Sequence, residues 1–237
     1  GAVTGGTVTV TAAGAVTQSA AINAQTLDVT GMGQAITLTN AGNKVGTFRA
    51  VNAAGAISLK DSNGALVLDT LTGGAVTIDS LTGSGTITQS GVITATTLDV
   101  TGNGQAVVLN TQNNKLGTFS AANAAGDVAV KDTAAGLVLG AITGGVVTVQ
   151  STGNAAITQS GVITAATLDV TGNGTAITLN TQNNAIGEFR AANGAGAVSL
   201  KDTAGGLALG GITSGALTVA AAGPLSVNQS RVVATGN

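Results

Sequence analysis

Asp28, Asp99 and Asp169 are the residues whose type and spacing come nearest to chemistry. Each sits in a Leu-Asp-Val-Thr-Gly run, and the intervals between them are 71 and 70 residues. Carboxylate, Asn and backbone oxygens are hard ligands that suit calcium. One acidic position per turn is too few for an EF-hand, and the Gly-rich repeat of calcium-binding β-rolls is absent. The simpler reading is an outward strand Asp between inward Leu and Val, followed by a turn, so no metal ligand is assigned. Glycosidic chemistry needs two carboxylates about 5–9.5 Å apart on one face. Here Asp recurs at equivalent places three times over, whereas a catalytic site is built once.

Other chemistries are excluded by residue type. The 237 residues include no His, Cys, Trp or Tyr, which removes nucleophile–His catalysis, thiolate metal sites and a disulfide framework. The Gly102-Asn103-Gly104 turn is no phosphate loop, because no helix follows it. Lys60-Asp61, Lys131-Asp132 and Lys201-Asp202 read as solubilising surface pairs. Two sequons, Asn173-Gly174-Thr175 and Asn228-Gln229-Ser230, read as chance matches. No catalytic residue, cofactor or metal is expected, and the chain reads as no enzyme.

Charge and hydropathy limit the partners. Only 8% of residues are charged and the net charge is -2, so the Lys/Arg clusters that nucleic acid requires are missing. No apolar run reaches the roughly 18 residues that span a bilayer, and membrane insertion is not expected. Apolar residues make up 43% of the chain, of which three are Phe. A core is therefore expected, built from small and β-branched side chains. Gly1 opens directly in repeat-like sequence without a signal peptide, which reads as a piece of something longer.

The elements that carry these residues repeat. Gln89–Gly104 and Gln159–Gly174 differ only at Thr96 against Ala166, and Phe48, Phe119 and Phe189 keep the same intervals as the Asp residues. Copies are placed at about 18–88, 89–158 and 159–228, with partial copies at 1–17 and 229–237 in one continuous segment. The first interval is longer by one residue, which falls in a turn near Leu81. Within a copy, apolar residues alternate, as in Val128-Ala129-Val130-Lys131, which is the half-buried strand pattern. Strand centres recur about every ten residues between Gly- and Asn-rich turns.

Sandwich domains would need large side chains to fill a gap of about 10 Å between sheets. A parallel β-helix stacks short strands about 4.8 Å apart around a narrow lumen that Val, Ile, Leu and Ala can fill. The expectation is thus an all-β parallel β-helix (β-solenoid) of ~70-residue repeats, each of several coils. Phe48, Phe119 and Phe189 should point inward, as should Val107, Leu109, Val128 and Val130, with Val108, Ala129 and Lys131 outside.

The run from Ala156-Ile157-Thr158-Gln159-Ser160-Gly161 through Leu168–Asn184 to Gly187–Thr213 resembles the repeats of filamentous-haemagglutinin-like large exoproteins. These are adhesins of two-partner secretion. The resemblance covers all three copies. It implies a right-handed β-helix, export through an outer-membrane partner, and a secreted or cell-surface role in adhesion or biofilm matrix. Polysaccharide or host surface would then be bound outside this segment. The expected function is a structural stalk. The alternatives are a self-associating fibre or sheath subunit, pairing by repeat ends or lateral faces, and a polysaccharide-processing β-helix enzyme.

Overall fold

Alternating apolar residues form strands here because every second side chain can enter one shared lumen while the strand edges pair coil on coil. In a computed structural model that describes residues 1–228 and 232–234, twenty strands run from Val3–Ala12 to Val232–Ala234. All pair in parallel within one sheet that winds round a single core. The protein is an all-β solenoid, and no helix occurs among the described residues.

Two ladders of strands wall the lumen. One, the front face, stacks Leu27 on Phe48, Phe48 on Leu68 and, further on, Val107 on Val128 and Leu168 on Phe189. The back face stacks Val16, Ile36, Ile57, Val76, Leu98 and Phe119 in that order. Front and back alternate along the chain, so one coil contains one strand of each and takes about 21 residues, as from Leu27 to Phe48. Each Phe lies between two Leu in its ladder and is fully buried. Such a ring contributes about 3–5 kcal/mol against truncation to Ala.

The structural unit is therefore the coil of about 21 residues rather than the 70-residue copy. A copy holds three and a half coils, because Leu27 lies on the front and Leu98, three stacking steps beyond Ile36, lies on the back. The third copy returns to the front with Leu168. The extra residue of the first copy lies in the turn between Ser80 and Thr86, where Gly85 has φ +98°. The inward assignments of Val107, Leu109, Val128 and Val130 hold at 0% exposure. The Gln229-Ser230 start of the fourth copy and most of its sequon lie outside the described residues.

Candidate functional site: outer faces and buried polar columns

The half-coil offset decides where the three repeated Asp residues stand. Asp28 and Asp169 project from the front face and Asp99 from the back, so the structure does not bring them together. Asp28 pairs with Arg49 on the next coil. Asp169 lies in register with Arg190, whose guanidinium donates to both Glu188 oxygens at 3.1 Å. Burial, and then the neighbouring Asp79 charge, raise the Asp99 carboxyl above its ordinary value. Among the described residues, no three of His, Cys, Asp or Glu come together as a metal-holding group.

The Lys-Asp pairs are not surface pairs. Lys60 points out and meets Asp79 at 3.3 Å, but Asp61 points in and is 0% exposed. The reason is the strand alternation itself, since Asp61 and Asp132 stand two residues beyond inward Leu59 and Val130. Among the described residues no ion pair reaches these carboxylates; they are held by backbone. Asp61 accepts the N–H of Val45 at 2.8 Å and of Asn63 at 2.9 Å. Asp132 does the same with Leu116 and Ala134, and Asp202 with Ile186 and Ala204. Desolvation outweighs these hydrogen bonds, so the Asp61 carboxyl is pushed up to about 6 and that of Asp132 is also raised.

An amide pair, buried except at half-buried Gln18, stands beside each Asp. Gln89 Nε2 donates to Asn114 Oδ1 at 2.9 Å, and Asn114 Nδ2 returns a bond to Gln89 Oε1 at 3.1 Å. Asn114 also accepts from Ile93 N–H at 2.9 Å and donates to the carbonyls of Leu109 and Lys131. Gln18 with Asn43 and Gln159 with Asn184 repeat the arrangement. Three successive coils are joined by each such group. At other turns Asn52 and Asn193 accept the N–H of Gly33 and Gly174. The sequence reading missed these columns. The signal was present, because Ile87-Thr88-Gln89 places Gln89 in the inward register.

One apolar cavity of about 250 Å³ opens at the first coil, between Val8, Val10, Val16, Ile22, Leu27 and Leu38. Asn173 occupies an exposed turn and donates to Asn154 Oδ1 at 2.9 Å.

Stacked coils, a continuous lumen and recurring polar staples define a tandem-repeat β-solenoid. The chain belongs to the family described as repeats of unknown function (DUF5649), which matches residues 1–52, 54–123 and 125–192. The breaks between matches fall at Ala53 and Ala124, both in turns with positive φ, 46° and 44°. No curated protein and no solved structure matches the chain.

Proposed function

We propose that the chain is a rigid spacer in a secreted or cell-surface adhesin of the filamentous-haemagglutinin-like kind, and that it performs no catalysis. The observation that carries this reading is the continuity of the core. Residues of all three copies contribute to one buried cluster, with no break where one copy ends and the next begins. Each coil is fixed mainly by its neighbours, as in other solenoids. Eleven back-face strands at ~4.8 Å give a rod of roughly 50 Å. Such a rod holds whatever it carries at a set distance and transmits load along stacked backbone hydrogen bonds.

Export by an outer-membrane secretion partner, and polysaccharide or host-surface binding outside this segment, belong to the same reading and rest on the repeat resemblance. Small-angle scattering tests the rod: a stiff particle with a single cross-section is expected. A flexible string of separate globules would defeat the spacer reading. Release of reducing sugar from a polysaccharide panel would defeat the non-catalytic part of it.

A further inference from the structure

The two faces differ in chemistry although the same repeats build both. Consider in each strand the outward residue between two core-facing ones. On the back face this residue is Ser or Thr in nine of eleven strands. On the front face it is Ser or Thr in four of twelve, and charged in another four.

At several places the outward residue follows the face and not the place in the repeat. Arg49 and Arg190 are on the front, and their equivalent in the second copy, which lies on the back, is Ser120. Conversely, Ser58 and Ser199 are on the back, and the front-face equivalent is Ala129. Thr37 and Thr178 on the back likewise become Val108 on the front. Asp99 and Val138 are the two back-face exceptions.

We propose that the back face is a lateral pairing surface whose occupant is the back face of a second copy of this chain. A hydroxyl both donates and accepts, so a hydroxyl ladder is complementary to itself in a two-fold contact. A front-face contact of the same antiparallel kind, in full overlap, would set Arg49 against Arg190. In the antiparallel arrangement about the Phe119 strand, the first four strands lie on the last four, hydroxyl to hydroxyl. Asp99 then comes opposite Val138, whereas a parallel arrangement would set it against its own copy. Back-face strands of two to five residues, eleven deep and ~4.8 Å apart, present roughly 700 Å², within the about 600–1,000 Å² that one partner of a stable interface buries. The proposal deepens the spacer reading, and rests on it, by making the spacer a laterally paired rod.

Sedimentation of the whole chain over a wide concentration range, beside the double variants Thr37→Arg/Thr178→Arg and Thr88→Arg/Thr148→Arg, tests it. Expected is a parent that doubles in mass with rising concentration, a back-face variant that stays monomeric and a front-face variant that pairs like the parent. The conservative Thr37→Ser/Thr178→Ser chain should pair too, and all variants should keep the parent's denaturation midpoint. A parent that remains a monomeric rod overturns the pairing and leaves the spacer intact. Growth beyond a dimer, indifferent to the back-face change, also overturns it and assigns association to another surface. A flexible particle in scattering would instead fail the spacer reading itself.

Discussion

Leu27 and Leu98 hold the same place in successive copies, yet they enter the core from opposite faces. The lumen sees the same side chain twice, three and a half coils apart, and the outer surface sees each motif on alternate sides. Core and surface are therefore under different rules.

Val130 is fully buried between Leu109 and Val149, while Val108 is half-buried and faces out. Val130→Asp should lower stability by several kcal/mol, because a lone carboxylate enters a dry lumen. Val108→Thr should stay within about 0.5 kcal/mol of the parent. Denaturant melts of both variants decide it; equal midpoints would mean the strand faces are exchanged.

Asn114→Leu tests the polar staple. It removes the acceptor of Ile93 N–H and the partner of Gln89, and leaves two carbonyls short of a donor. A buried group left unpaired costs about 1–3 kcal/mol, so a loss of at least that size is expected. A melt unchanged from the parent would make the amide column dispensable.

Acid should stabilise the fold. The Asp61 carboxyl is pushed up to about 6 when folded, against an ordinary value of 3.8. Between those values the folded chain binds more protons than the unfolded one, so stability falls as pH rises through that window. The melting temperature should be higher near pH 5 than near pH 7.5, and Asp61→Asn should flatten the profile. A profile that falls on acidification, or one that Asp61→Asn leaves unchanged, contradicts this account of the buried carboxylate.

Two glycines of similar φ should respond differently to Ala. Gly104 has φ +95° and open space around it, so only the backbone preference is lost, about 1–2 kcal/mol. Gly85 has φ +98°, and a Cβ there would stand 1.4 Å from the Gly64 oxygen. Gly85→Ala must displace the coil beneath and should cost clearly more in a chemical melt. The reverse order would show that the turn after Ser80 is placed wrongly.

Much of this architecture was legible in the residues. Alternation placed Phe48, Val107, Val128 and Val130 inside, and the interval between copies located the extra residue of the Ser80–Thr86 turn. The alternation also points Asp61 and Gln89 inward, but residue type argues for the surface at Asp61, and Gln89 serves only as a landmark of the repeat. Asn114 read as a turn residue because Asn tolerates positive φ, whereas it lies in an extended strand and serves the interior. The faces were hidden for a different reason. Sequence identity peaks at the copy length, while stacking obeys the coil, and the half-coil remainder is invisible until strands are paired.

That remainder makes copy number a matter of parity. Inserting or deleting one copy turns everything C-terminal to it half-way round the rod, so that a motif once facing a neighbour faces away. Two copies together make seven coils and restore the heading, changing only the reach, by roughly 34 Å. A chain of this kind that gains or loses repeats singly alters its aim; one that does so in pairs alters only its length.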